Sequence, residues 1–397
     1  MQIAERMNLL TPSQTVEITN LSRSLKEQGL DVISLSVGEP DFNTPKEIID
    51  KAYKKALDGQ TKYIATDGLP ALKKKIQEKM KHDNQLDYEL EEIFVGAGAK
   101  QVLFNIFMAS INPGDEVIVP DPFWVSYTEQ VKLASGVPVI AHTDESTEYK
   151  LTPEILEEVV TDKTKMLILN SPNNPTGSVY TKEELQKLAD YLENKDIIVI
   201  ADEIYEVLVY VGAHISIASL SEKMKQNTIV INGVSKSHAM TGWRVGYACG
   251  DKSLIKALTK LQSQSISSVA TPSQWAAVAA YEMDRSFLDE YNRTFRERRD
   301  NAYKQMIDLP YVRCIKPQGA FYLFPYWKEV AKQCGYTSVD DFVKALLEEK
   351  QVALVPGSAF GYPDNLRLSY AIDENTLNEA MQRIKDFINK KLEQQGK

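Results

Sequence analysis

Between residues 93 and 249 short apolar runs alternate with longer stretches of helical spacing, and that alternation fixes the class of fold. Runs at 93–95, 116–119, 138–141, 165–169, 197–201, 228–231 and 245–249 read as strands. The stretches between them, through 109 and at 125–133, 153–160 and 182–194, read as helices. The run 197–201 is apolar without interruption, as a strand covered on both faces is. The pattern predicts an α/β protein with a mostly parallel, seven-stranded sheet flanked by helices. Beyond residue 252 the spacing turns helical, at 273–283 and 286–309. Short strands at 320–324, 352–355 and 366–371 then mix with helices at 339–348 and 374–393. Ahead of the alternation lie a helix at 14–28, closed by Gly29, a strand at 32–37, and helices at 45–57 and 69–82. A chain of 397 residues has room for two domains. We expect a large domain over 43–283 and a smaller α+β domain made from both chain ends, 1–42 and 284–397.

Composition removes several classes of function. The net charge of −9 argues against a nucleic-acid partner, which calls for a basic face. Cys249, Cys314 and Cys334 are odd in number and widely spaced, so neither a disulfide framework nor a zinc motif follows. The four histidines form no metal-binding pair. No run of about 18 apolar residues exists to span a bilayer, and the N-terminus lacks the apolar run of a signal peptide. The expected setting is the cytoplasm, with no metal and no membrane.

Chemistry collects where strands end. Lys236 follows the run 228–231 in a loop of small and polar residues, where open α/β sheets face a ligand crevice. A lysine kept neutral there attacks carbonyls. Arg244 supplies a fixed charge for a phosphate. The two suggest a phosphorylated aldehyde held as an imine, pyridoxal phosphate. Taken alone, Lys236 reads as well as a solvated side chain. The small-residue turn leading to Ala99 and Lys100 opens a helix and offers N–H groups to an anion, or is a plain strand-to-helix turn. Asn174 sits in a rigid turn of two prolines and a glycine. Asp202 ends an apolar strand, where a carboxylate calls for a cation or a donor, such as a protonated ring nitrogen, or else caps the next element. Tyr205 is placed to direct its phenol at a ring oxygen. Arg367 lies on an alternating strand, on the face opposite Leu366 and Leu368, suited to forking onto a carboxylate or to an edge-strand surface.

Five motifs in order resemble the pyridoxal-phosphate-dependent aminotransferases of class I/II (fold type I), in the aspartate aminotransferase-like group. They are Ser36-Val37-Gly38-Glu39-Pro40-Asp41-Phe42, Ser171-Pro172-Asn173-Asn174-Pro175-Thr176-Gly177, Ala201-Asp202-Glu203-Ile204-Tyr205, the stretch Ser235-Lys236 to Arg244, and Leu366-Arg367-Leu368-Ser369-Tyr370. The resemblance runs from about Thr11 to Ile388. It implies that Lys236 forms the imine with the coenzyme and shuttles the substrate α-proton, that Asp202 keeps the ring nitrogen protonated, and that Asn174 and Tyr205 hydrogen-bond the 3-oxygen and lower the imine's basicity. Arg244 and the N–H groups of Ala99 and Lys100 would hold the phosphate, and Tyr63 would reach the phosphate of a neighbouring subunit, making a homodimer with shared sites. Arg367, helped by the Gly38 backbone, would bind the α-carboxylate, and Trp124 would line the substrate. Gly233 stands where a phosphate-binding serine is frequent, so either one phosphate contact is missing or Ser235 substitutes. Lys100, Ser13 and Thr15 occupy places that handle the distal carboxylate of aspartate or glutamate in one branch. The resemblance further implies cis bonds before Pro122 and Pro175.

The activity implied is transfer of an amino group from an L-amino acid, aspartate first, to 2-oxoglutarate through a ping-pong cycle with a pyridoxamine form. Its rivals are an aromatic or broad aminotransferase, a pyridoxal-phosphate-dependent C–S lyase and a non-enzymatic regulator. A nicotinamide dehydrogenase is disfavoured by the broken glycine pattern after Val95.

Overall fold

The apolar runs assemble into one sheet because each buries side chains on both faces. Ile93 and Val95 enter one apolar cluster while Phe94, between them, enters another. The computed structural model describes residues 3–396, so residues 1, 2 and 397 of the expected small domain lie outside it. In chain order the N-terminal part holds α1 (Gln14–Glu27), β1 (Ile33–Ser34), α2 (Lys46–Leu57) and α3 (Pro70–Asp83). Then come β2 (Ile93–Gly96), α4 (Ala99–Ser110), β3 (Glu116–Asp121), α5 (Ser126–Leu133), β4 (Val137–His142) and α6 (Pro153–Val159). They are followed by β5 (Thr164–Asn170), α7 (Lys182–Leu192), β6 (Ile198–Asp202), α8 (Glu222–Asn227), β7 (Thr228–Gly233) and β8 (Gly246–Cys249).

These seven strands form one sheet in the order β2-β8-β7-β6-β5-β3-β4. The pairs β3–β4, β3–β5, β5–β6 and β6–β7 are parallel. Only β8 runs against its neighbours β2 and β7. The mostly parallel sheet expected from the sequence is therefore present, with helices on both faces.

The rest of the chain adds α9 (Lys252–Ser263), α10 (Thr271–Glu282), α11 (Ser286–Ile307), β9 (Tyr322–Leu323), α12 (Lys328–Gln333) and α13 (Val339–Lys350). It ends with β10 (Val352–Ala353), β11 (Val355–Pro356), β12 (Leu366–Ser369) and α14 (Glu374–Gln394). Strands β11, β12 and β9 make an antiparallel sheet, and β1 pairs in parallel with β10. Ile33 and Leu35 enter the same apolar cluster as Phe295, Phe342 and Ile384, so both chain ends contribute to one core.

Three local expectations change. The strand over 32–37 shortens to β1, because beyond it the Ser36 carbonyl turns to accept from Arg367. The strand over 352–355 splits in two at Leu354, one half pairing with β1 and the other with β12. Helices α8 and α12, at six residues each, carry too little period to be read from sequence. The peptide bonds before Pro122 and Pro175 are cis, as expected, and so is that before Pro172.

Candidate active site

Parallel strands deliver their carboxyl ends to one edge of the sheet, and the site is built there. Asn170 at the end of β5 lies opposite Asp202 at the end of β6, which lies opposite Ile231 in β7. Above that edge is a cavity of about 490 Å³, within the range that holds a small cofactor. Its walls include Lys236, Asp202, Tyr205, Asn174, Arg244 and Arg367. Gly38, Ala99, Lys100, Trp124, Ser235 and Thr15 line it too. Two residues expected near the site do not line it. Ser13 lies one step back, its hydroxyl 2.8 Å from that of Thr15. Tyr63 is 91% exposed and away from the cavity.

Lys236 is held by its backbone, whose carbonyl accepts from the Tyr291 hydroxyl at 2.8 Å. Its amine donates to the Gly38 carbonyl. Burial lowers the ammonium to about 8; Arg367 and Arg244 push the same way, against Glu39 and Asp202. A useful fraction of the amine is thus neutral near neutral pH.

Asp202 is buried at the end of β6. Its carboxylate accepts from the Tyr127 hydroxyl at 2.7 Å and from the Ile204 N–H at 3.3 Å. Burial raises it to about 6, the Tyr127 hydrogen bond opposing. A buried carboxylate held by such donors fits a protonated ring nitrogen.

The anion end is made from close backbone approach. Gly98 caps α4 with φ 83°, a conformation that suits glycine. A Cβ on Gly98 would lie 2.4 Å from Arg244 Nη2, and one on Gly246 would lie 2.3 Å from the Ala99 nitrogen. The missing side chains let β8, the start of α4 and the guanidinium come together. Arg244 donates from Nη1 to the Thr241 carbonyl at 2.9 Å and from Nη2 to the Ala97 carbonyl at 3.3 Å. Helix start and guanidinium form a positive end suited to phosphate. Gly233 cannot hold a serine in this backbone, since a Cβ there would meet the Val245 carbonyl at 2.8 Å.

At the opposite end Arg367 is only 3% exposed. Alternation along a strand predicts one wet face, but all four residues of β12 are buried, because the polar face looks into the site rather than into water. Nη1 donates to Asn174 Oδ1 at 3.0 Å and Nη2 to the Ser36 carbonyl at 2.7 Å, while Nε has no partner among the described residues. Lys100 reaches over the Trp124 ring, 4.8 Å from its centroid. Burial, then Arg244, lowers the Lys100 ammonium.

Tyr127, Tyr322, Asn170 and Glu39 are among the lining residues that escaped sequence reasoning. Asn170 donates to the Asp202 carbonyl at 2.9 Å and accepts from the Asn174 N–H at 2.9 Å, tying the two strand ends together. Glu39 accepts from the Thr241 hydroxyl at 2.8 Å. The only sequence signal for Tyr127 is its position one helical turn after Trp124.

The sequence matches a family model described as aminotransferase class I and II over residues 30–384. It is 50% identical over 391 residues to the aspartate aminotransferase of Bacillus subtilis, with 98% of this chain and 100% of that one covered. It is 44% identical over 389 residues to a probable aspartate/prephenate aminotransferase of Rickettsia bellii, covering 96% of this chain and 98% of the relative. Among solved structures, the aspartate aminotransferase of Thermus thermophilus with maleate superposes with a TM-score of 0.93 at 39% identity, covering 98% of this chain and 100% of that one.

Proposed function

The chain belongs to the class I and II aminotransferases, pyridoxal 5'-phosphate-dependent transaminases, and from that premise we infer that it moves the amino group of L-aspartate to 2-oxoglutarate in two half-reactions. The observation that carries this reading is one cavity holding an amine, a buried carboxylate and a buried guanidinium on separate walls. When bound, pyridoxal phosphate supplies an aldehyde to carry the amino group and a ring that withdraws electrons. The residues fit it: Asp202 would meet the ring nitrogen, the α4 start and Arg244 would meet the phosphate, and Asn174 and Tyr205 would donate to the 3-oxygen. Ser235, which lines the same cavity, would be a further phosphate contact.

Lys236 would hold the coenzyme through its amine, and the same neutral amine would take the proton from the substrate α-carbon and later return one. Arg367 forks onto the α-carboxylate with the Gly38 backbone beside it, which fixes the α-carbon within reach of Lys236. Trp124 covers one side of the substrate and excludes water. Lys100, with Thr15 and Ser13 behind it, meets the distal carboxylate.

Tyr63 lies free on the surface of its own chain, which supports a role on the phosphate of a partner subunit in a homodimer. The shared core of Ile33, Leu35, Phe295, Phe342 and Ile384 supports a small domain from 1–42 and 284–397, packed through Ile204, Tyr205, Leu208 and Tyr210 on a large one over 43–283. No helix among the described residues is long and apolar enough to cross a membrane, which agrees with a cytoplasmic setting.

Coenzyme affinity should report Asp202. The ionised carboxylate is the form that pairs with a cationic ring nitrogen. In the coenzyme-free protein burial holds this group at about 6, so it gains a proton as pH falls through that value. Affinity is expected to fall by about tenfold for each pH unit below 6. Fluorescence titration of the apoenzyme checks this, and the Asp202 step should be missing in Asp202→Asn. A variant with the same pH profile would remove the pairing.

A second reading is an aromatic or prephenate aminotransferase. The Lys100 ammonium lies against the Trp124 ring, so it can swing aside for an aromatic side chain. The deciding measurement is kcat/KM with 2-oxoglutarate for aspartate against phenylalanine and tyrosine. Aspartate should lead by at least tenfold; a reversed order would favour the second reading.

A further inference from the structure

Tyr322 joins the two ends of the site. It comes from β9, where it pairs with Ser369 of β12. The residue is fully buried. Its ring carries the Arg367 guanidinium, whose central carbon is 4.5 Å from the ring centroid. Its hydroxyl is 2.8 Å from that of Tyr205. A Cβ on Gly38 would come 2.8 Å from the Tyr322 hydroxyl, so the glycine leaves room for the contact.

Either phenol is able to donate in that hydrogen bond, and the surrounding charges choose between them. A cation on the face of a phenol draws charge from its oxygen and makes it the better donor. Arg367 does this to Tyr322 and opposes the effect of burial. Burial holds the Tyr205 proton more tightly, and so does the nearby Asp202 carboxylate, with Arg367 opposing. The Lys236 amine stands farther off, 5.9 Å from the Tyr205 ring centroid. The Arg367 contact thus favours Tyr322 as the donor, an arrangement that leaves the Tyr205 O–H for the cavity.

We propose that Tyr322 is a positioning residue that relays the charge state of Arg367 to Tyr205. Its hydroxyl donates to Tyr205, orients that phenol and strengthens it as a donor. A carboxylate bound to Arg367 cancels the cation and weakens the relay. The proposal rests on the reading of Tyr205 as a hydrogen-bond donor to the coenzyme 3-oxygen.

The test is a pH titration of the bound coenzyme's absorbance in the holoenzyme, with and without saturating maleate. In the parent protein maleate should raise the midpoint. Tyr322→Phe keeps the ring under Arg367 and removes only the hydroxyl. It should raise the unliganded midpoint by roughly half to one pH unit, the size of one neutral hydrogen bond, and narrow the maleate shift. Tyr205→Phe should raise the midpoint as well, and adding Tyr322→Phe to it should change nothing more. An unchanged midpoint with an unchanged maleate shift in Tyr322→Phe overturns the relay. So does simple additivity in the double variant, because Tyr322 then acts elsewhere. Should Tyr322→Phe yield no folded protein, Tyr205→Phe decides alone, and an undiminished maleate shift there overturns the proposal. A protein with no coenzyme absorbance overturns the functional reading, and the relay with it.

Discussion

Lys236→Ala is expected to lower turnover by roughly 10⁴-fold or more and to abolish the absorbance of the lysine-bound coenzyme. Two tasks end with one side chain, since in the proposed function the same amine holds the coenzyme and moves the α-proton. The loop itself should survive, because the Tyr291 hydroxyl holds the backbone carbonyl of residue 236 and not its side chain. Phosphate contacts at Arg244 and the α4 start remain, so the variant should still bind coenzyme, more weakly. Lys236→Arg separates charge from basicity. It restores a cation in the same place, but a guanidinium does not give up a proton in the working range, so the variant should be equally inactive. Single-turnover mixing with aspartate and borohydride reduction followed by peptide mapping are the measurements. Steady-state turnover within tenfold of the parent, or label on another lysine, would remove the assignment.

The sheet was legible because its strands bury both faces. The segments 93–95, 165–169 and 228–231 show as apolar runs without needing any partner to be known. Lys236, Asp202 and Asn174 were legible for a related reason. Each follows such a run, and strand ends are where a parallel sheet places its ligands. Tyr127 and Tyr322 were not legible. On a helix and a short strand a tyrosine reads as a packing residue, and their hydroxyl partners lie 75 and 117 residues away in the chain. The burial of Arg367 does not show in the sequence for the same cause. Alternation along β12 gives two faces, but only the tertiary structure shows that Tyr322 and Phe360 cover the polar one. Local pattern thus locates charged groups, and the tyrosines that position them depend on contacts between distant segments.

Arg367→Ala should act on binding more than on folding. In the substrate-free protein this guanidinium is buried without a carboxylate partner among the described residues: it rests on two aromatic faces, and its Nε has no partner among them. Such a cation is costly to bury, so its removal offsets part of the packing it takes away. The thermal midpoint of the variant is expected to shift little. Substrate supplies the missing anion, and there the loss should be large. Removing one partner of a buried charge pair costs roughly 2–5 kcal/mol, or about 30- to 5,000-fold in kcat/KM, most of it in KM. Arg367→Lys should recover only part, because an ammonium cannot fork onto two oxygens while also serving Asn174 and the Ser36 carbonyl. Steady-state kinetics with aspartate, beside thermal unfolding of the same samples, separates the two effects. If KM stayed at its parent value while the midpoint fell, Arg367 would be a structural cation of the small sheet. Recognition of the α-carboxylate would then have to come from another cation in the cavity, and Arg244, already committed to the phosphate end, could not serve both.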